Sequence, residues 1–222
     1  MSSPALEARD IFRIFHSGPV ETVALRGASL RVDAGEFVAL VGRSGSGKST
    51  LLQVMAGLDD PSAGTVWIAG NQLSGLDTQA RTALRRRHIG VVFQRDNLWN
   101  HLTALENAAL AGRLADNRDA QQRAQQLLDE LGLRHRFTHL PAALSGGEQQ
   151  RVGIAVALVN DPAVILADEP TGELDHASEA LVLDQLDRAR QARGSALLVV
   201  THSEEIAARA DRLVRMEDGV CH

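Results

Sequence analysis

The sequence predicts an α/β fold built on a mainly parallel sheet, and three features carry that expectation. Short apolar, β-branched runs recur at Glu36–Val41, Thr65–Ala69, Ile89–Phe93, Ala163–Ala167, Ala196–Thr201 and Arg212–Met216. Stretches of helical character lie between several of them, and the first run passes straight into a glycine-rich loop that opens a helix. Strands that alternate with helices form a largely parallel sheet covered on both faces, and such a sheet gathers its ligands at the carboxyl ends of its strands.

Taken in order, the chain departs from that rhythm twice. From about Leu6 to Val32 it reads as strands broken at Ser17-Gly18-Pro19 and at Arg26-Gly27, an antiparallel piece beside the main sheet. The dense basic cluster Arg85-Arg86-Arg87-His88 reads as a solvated helix end just before the strand at Ile89. From about Leu98 to Leu140 no strand is legible, so this insertion is predicted to be helical. Within it Ala120, Ala124, Leu127, Leu128 and Leu131 share one helix face, and Gly132 is placed to end that helix. A length of 222 residues predicts one domain, at roughly 150 residues per domain.

Composition narrows the function classes. With 44% hydrophobic and 23% charged residues the chain is ordinary globular material. Its longest apolar stretches, such as Ile154–Val159 and Ala196–Val200, fall far short of the roughly 20 residues a membrane-crossing helix needs, so no crossing is expected. The opening MSSPALEARDIF lacks a basic segment followed by an apolar one, which predicts a protein that stays in the cytosol. A net charge of −5 argues against nucleic acid as the main partner. The single cysteine, Cys221, can form neither an internal disulfide nor a thiolate metal site, and fits a reducing compartment.

The chemistry begins after the first core strand. Gly42-Arg43-Ser44-Gly45-Ser46-Gly47-Lys48-Ser49-Thr50 matches G-x-x-x-x-G-K-[ST] and opens a helix over Leu51–Ala56. Glycines let the backbone wrap closely round phosphate, and successive N–H groups with the helix N-terminus supply positive potential. Lys48 adds a point charge toward the β and γ phosphates, and Ser49 would ligate Mg²⁺. This is a nucleoside triphosphate loop. A second element, Val164–Glu169, is an apolar strand ending in two adjacent carboxylates. Asp168 would hold Mg²⁺ and Glu169 would act as general base on the attacking water. Neighbouring strand residues face opposite sides, so the strand end must bend if both are to reach one site.

The third element is Leu144-Ser145-Gly146-Gly147-Glu148-Gln149-Gln150-Arg151, with Ser145 lying 23 residues before Asp168. LSGGEQQR resembles the signature motif of the ATP-binding subunits of ABC transporters, and the other landmarks of that family follow in order along nearly the whole chain. The resemblance implies a P-loop NTPase core with an N-terminal antiparallel β subdomain and a helical subdomain, inserted at about 98–158, that carries the signature. It implies that Ser145, Gly146, Gly147 and Glu148 contribute a second anion cradle, one that meets the γ-phosphate held by another subunit. Gln94 resembles the glutamine that touches Mg²⁺ and the attacking water. Asp175, in Glu173-Leu174-Asp175, resembles part of the loop crossing the dimer interface, and His202 resembles the switch histidine at the γ-phosphate.

Three departures from the family pattern stand out. The adenine-stacking aromatic is usually Tyr, and this chain has none; spacing to Val23-Ala24-Leu25 points to Phe15, with Phe12 as its rival. Val156 stands where relatives usually carry Arg, and Glu173 where they carry Asn or Ala. Phe93-Gln94-Arg95, His101–Asn107 and Val20–Ser29 resemble the subgroup that powers lipoprotein release and macrolide or peptide export, while Asn97-Leu98-Trp99-Asn100 departs from it. The implied partners are ATP, a second copy in a head-to-tail ATP sandwich, and a transmembrane permease docked near Gln94–Asn107 with Leu98 and Trp99 as anchors. The chain would then sit on the cytoplasmic face of the inner membrane. A soluble ABC-type ATPase with a non-membrane partner is the alternative; it usually carries a long coiled coil or tandem cassettes, which do not fit this length.

Overall fold

The computed structural model describes residues 4–222 apart from Pro19, Asp96 and Glu173. The elements run β1 (Leu6–Ser17), β2 (Val20–Val32), β3 (Phe37–Val41), α1 (Lys48–Met55), β4 (Ala63–Ile68), β5 (Asn71–Gln72), α2 (Thr78–His88) and β6 (Ile89–Val92). They continue with α3 (Ala104–Leu114), α4 (Ala120–Glu130), α5 (Gly146–Leu158), β7 (Val164–Asp168), α6 (His176–Arg193), β8 (Ala196–Val200), α7 (Glu204–Arg209), β9 (Arg212–Glu217) and β10 (Val220–Cys221).

Two sheets form. One has the order β10-β9-β3-β8-β7-β6, with β9, β3, β8, β7 and β6 parallel and β10 antiparallel at the edge. β3, β7 and β8 read as nearly unbroken apolar runs because both their faces are covered, whereas β9 alternates exposed and buried residues. Val38, Leu40, Val164, Leu166, Leu198 and Val200 point into one core with α1 and the second sheet, whereas Phe37, Ile165, Ala167, Leu197 and Val199 point into another with α3 to α6. This two-residue alternation between cores is the pleat expressed as packing.

The second sheet, ordered β2-β1-β4-β5, is antiparallel. It corrects two sequence expectations. The strand read at Thr65–Ala69 pairs with β1, Leu6 facing Ile68 and Ala8 facing Val66, so it belongs to the antiparallel sheet. The expected break at Arg26-Gly27 is a bulge inside a continuous β2: Ile11 faces Ala28 and Phe12 faces Arg26, which leaves Gly27 as the extra residue at φ 88.

The helical insertion comes close to the parallel sheet where α5 crosses β6. A Cβ built on Gly90 would lie 2.4 Å from the Ala157 carbonyl oxygen, so backbone meets backbone at van der Waals limit. Gly90→Val should therefore separate α5 from β6 and cost about 2 kcal/mol or more. Thermal unfolding should report this as a fall of about 5 °C or more in Tm, and an unchanged Tm would contradict the close approach.

Parallel strands share one carboxyl edge, and this edge collects the chemistry. The glycine loop follows β3, Gln94 follows β6, Asp168 and Glu169 end β7, and His202 follows β8.

Candidate functional site

The loop Gly42–Thr50 takes a shape that only glycine permits at two points. Gly45 has φ 79 and Gly47 has φ 106, both in the left-handed region. A Cβ on Gly42 would sit 2.3 Å from the Met216 carbonyl oxygen, and one on Gly47 would sit 2.7 Å from that of Ala24. The loop is thus wedged between β2 and β9, and the Gly219 N–H donating to the Ser46 carbonyl at 3.0 Å ties it there. Gly47 caps α1 without a side-chain acceptor, so no side chain of its own satisfies the first-turn N–H groups. Arg43, Ser44, Gly45 and Ser49 are exposed along the loop and Thr50 is half-buried.

Lys48 is buried at 5% exposure, and its ammonium donates to the carbonyls of Gly42 at 2.8 Å and Arg43 at 3.0 Å. Desolvation lowers its pKa, and the carboxylates of Glu169 and Asp168 oppose that shift. Ser46 Oγ is buried with no hydrogen-bond partner. An orphaned hydroxyl, a buried cation and uncapped N–H groups around a glycine-lined turn fit a phosphate chain.

The expected bend at the end of β7 is present. Glu169 has φ 44, a left-handed conformation that costs a non-glycine residue on the order of 1 kcal/mol or more, and the Glu169 N–H donates to the Val200 carbonyl at 2.9 Å. The turn separates the two carboxylates by task while keeping both on the carboxyl edge. Asp168 Oδ1 accepts from Ser49 Oγ at 3.1 Å, and Glu169 Oε1 lies 2.9 Å from His202 Nε2. Burial pushes the Asp168 carboxyl above its ordinary value, partly offset by the Ser49 hydroxyl. Gln94 sits against the turn after Glu169: a Cβ on Gly172 would lie 3.0 Å from Gln94 Nε2.

Direct contacts therefore join Ser49 to Asp168 and Glu169 to His202. The cradle Ser145-Gly146-Gly147 is tied elsewhere. Gly146 approaches Leu174, Gly147 approaches Ser178, and a groove of about 450 Å³ lined by Gln94, Leu98, Gly146, Pro170 and Leu174 runs beside them. Ser145 caps α5 in a capping box, its Oγ accepting from the Glu148 N–H at 3.2 Å and its own N–H donating to Glu148 Oε2 at 2.8 Å. Glu148, expected as a nucleotide contact, has both carboxylate oxygens engaged within this chain, the second by Arg136 Nε at 2.8 Å. Asp175 caps α6 through the Ser178 N–H at 3.0 Å and hydroxyl at 2.9 Å.

At the other sheet Phe15 is 40% exposed and carries the Arg13 guanidinium 4.6 Å from its ring centroid; Phe12, equally exposed, lies against Gly27. Val156 is half-buried against the helical core. Glu173 lies outside the described residues.

The family described as ABC transporter matches residues 25–172, from β2 to the turn after Glu169. The chain belongs to the ABC transporter family. Membership carries the activity, binding and hydrolysis of ATP.

Among ABC relatives, the chain is 46% identical over 217 residues to the lipoprotein-releasing system ATP-binding protein LolD of Pseudomonas syringae pv. tomato, covering 96% of this chain and 95% of that one. It is also 46% identical over 219 residues to the macrolide export ATP-binding/permease protein MacB of Escherichia coli strain K12, covering 98% of this chain but 34% of that longer protein. Among solved structures it superposes on the dimeric bacterial ABC transporter cassette MJ0796 with a TM-score of 0.89 at 37% identity, over 97% of this chain and 95% of that one.

Two side chains that brace this ABC site were not singled out for any role by sequence. Asn97 closes on the end of β6, accepting from the Phe93 N–H at 2.8 Å and donating to the Phe93 carbonyl at 2.7 Å, and it meets Gln150 at 3.2 Å. Gln150, 6% exposed on α5, donates to the same Phe93 carbonyl at 2.9 Å. The signal available was a polar residue on the inward face of an apolar helix, which must be satisfied by something.

Proposed function

We propose that this chain is the ATPase subunit of a machine of the lipoprotein-releasing or macrolide-export type, in which two copies sandwich ATP head-to-tail and drive a membrane permease. The observation that carries this reading is the near end-to-end likeness to a lipoprotein-releasing ATP-binding protein, 96% of this chain on 95% of that one. The likeness to that protein supports a place on the cytoplasmic face of the inner membrane, reached through the permease; no helix among the described residues is long and apolar enough to cross a membrane. Residues 1–222 would act as one ATP-binding domain with the helical insertion at 98–158.

The roles follow from where the side chains stand. Gly42 to Thr50 bind the triphosphate by backbone N–H groups, and Lys48 places its charge at the β and γ phosphates. Phe15 stacks on adenine. Ser49, Asp168 and Gln94 are the residues that would hold Mg²⁺; Ser49 Oγ and Asp168 Oδ1, 3.1 Å apart, are the adjacent oxygen donors a hard cation requires. When bound, the ion would supply positive charge to offset that of the phosphates. Glu169 takes the proton of the attacking water, held in orientation by His202. Ser145, Gly146 and Gly147 of one copy complete the γ-phosphate site of the other, and Asp175 lies at that interface.

The docking surface divides the two anchors expected from sequence. Trp99 is 62% exposed, with its backbone fixed by Asn107, whose Oδ1 accepts from the Trp99 N–H at 2.7 Å. Leu98 is half-buried against the helical core. Trp99→Asp should abolish co-purification with the permease and transport while the isolated chain stays folded and hydrolyses ATP at its basal rate. Leu98→Asp should instead lower Tm. A folded Trp99→Asp chain that still brings down its permease would refute the docking surface.

A further inference from the structure

Arg136 occupies a place that the capping box alone does not explain. It ends a short 3-10 turn, Arg134–Arg136, that follows α4, and its own N–H donates to the Leu133 carbonyl at 2.8 Å. The residues after it are stitched to the start of α3: the Leu105 N–H donates to the Phe137 carbonyl at 3.1 Å and the Ala104 N–H to the His139 carbonyl at 2.9 Å. Phe137 packs on the helical core. The backbone that carries Arg136 is therefore anchored on both sides of it.

From that anchored position Arg136 Nε donates to Glu148 Oε1 at 2.8 Å, and the other Glu148 oxygen accepts from the Ser145 N–H at 2.8 Å. The Glu148 side chain is 12% exposed, and the Arg136 side chain beside it is 32% exposed. The two hydrogen bonds on Ser145 and Arg136 hold the Glu148 carboxyl below the usual carboxylate range, the backbone N–H of Ser145 being the larger cause. The other charged group acting on the pair is Arg151 on α5, and two histidines lie beside it: His135, 4.0 Å from Glu148, and His139, whose Nε2 lies 3.3 Å from Arg136 Nη1. A capping-box carboxylate on a surface helix can swing between rotamers. Here the guanidinium fixes one rotamer, and that rotamer sets the backbone of Ser145 and the direction of its hydroxyl at the N-terminus of α5.

We infer that Arg136 is a positioning residue for the signature cradle: by clamping Glu148 it holds Ser145 in the orientation that receives the γ-phosphate bound to the opposite subunit. It touches neither nucleotide nor metal. The inference rests on the head-to-tail reading above, because the cradle serves a nucleotide only across the dimer. It explains why a half-buried capping glutamate is paired with an arginine 12 residues earlier, where the cap itself needs only one acceptor.

The test uses the full chain carrying Glu169→Gln, in which hydrolysis is blocked and Mg-ATP-driven dimerisation can be titrated by light scattering. Arg136→Met keeps the aliphatic stem and removes the charge; it should raise the protein concentration for half-dimerisation about tenfold, the size of one charge-assisted hydrogen bond. Affinity of the monomer for a fluorescent ATP analogue and Tm should stay close to those of the parent. Arg136→Lys should recover most of the loss, since an ammonium still reaches the carboxylate without the fork. Arg136→Met added to Glu148→Ala should cost nothing beyond Glu148→Ala alone. Dimerisation of Arg136→Met equal to the parent, an equal loss in monomer affinity, or additivity with Glu148→Ala would each overturn the inference. Ser145→Arg in the same assay keeps the two failures apart: if that chain still dimerises, it is the head-to-tail reading that falls.

Discussion

Glu169→Gln should abolish turnover, with a fall of about 10³-fold in the hydrolysis rate, while leaving ATP bound. The structure explains why one atom has so large an effect. Glu169 is held at φ 44 at the end of β7, and its Oε1 lies 2.9 Å from His202 Nε2. An amide keeps the size of the side chain and an acceptor for His202 but cannot take a proton from water. Lys48 and Ser49, the residues proposed for the phosphates and the metal, are untouched, so the variant should collect in the ATP-bound state. That state is a dimer in the reading adopted above, because each chain has one phosphate loop and one signature cradle. Size-exclusion chromatography of Glu169→Gln with Mg-ATP should give a dimer that is absent with ADP. A monomer under both conditions would remove the sandwich from the account.

The second large effect is a contrast between Lys48→Ala and Ser145→Arg. Lys48 supplies the buried ammonium of the loop, donating to the Gly42 and Arg43 carbonyls at 2.8 and 3.0 Å. Its removal takes a positive charge from the phosphates and leaves those carbonyls without their donor, so nucleotide affinity should fall by roughly 10- to 100-fold along with hydrolysis. Ser145 caps α5, whose first residues Gly146 and Gly147 lie against Leu174 and Ser178 of the same chain, on a different helix from the one the loop opens. Ser145→Arg removes a cap worth about 1 kcal/mol, which leaves the chain folded. Monomer affinity should remain near wild type while dimer closure and hydrolysis are lost. Titration with a fluorescent nucleotide separates the two, and an equal loss of affinity in both would show that Ser145 serves its own chain's nucleotide.

Much of the site was legible because its requirements are local. Gly45 and Gly47 are needed wherever a chain turns with φ near 79 and 106 so that a helix can open on backbone N–H groups, and that need is written in consecutive residues. The central strands β3, β7 and β8 were legible because burial on both faces makes each a nearly unbroken apolar run. The bend after Asp168 was foreseeable from the pleat, since two neighbouring carboxylates cannot otherwise serve one edge. The place of β4 was not, because the run from Ala63 to Ile68 has the same composition whether it pairs with β1 or with a strand of the parallel sheet. Gly27 likewise reads as a turn until the register of β1 against β2 shows it to be the extra residue of a bulge.

Consecutive residues were enough to specify the glycine turn of Gly42–Thr50, the adjacent carboxylates Asp168 and Glu169 at the end of β7, and the capped start of α5 at Ser145, because each is a local backbone conformation that a few neighbours dictate. How those pieces are held depends on packing between distant segments. Leu98 and Trp99 are adjacent and both apolar, yet one lies against the helical core and the other is 62% exposed. Glu148 reads as part of a motif, yet its rotamer is set by Arg136 from a turn packed on α3. Which side an apolar residue faces, and which partner a half-buried carboxylate finds, depend on segments far apart in the chain. Those contacts form only when the chain has closed its loops, and the pattern of neighbouring residues does not record them.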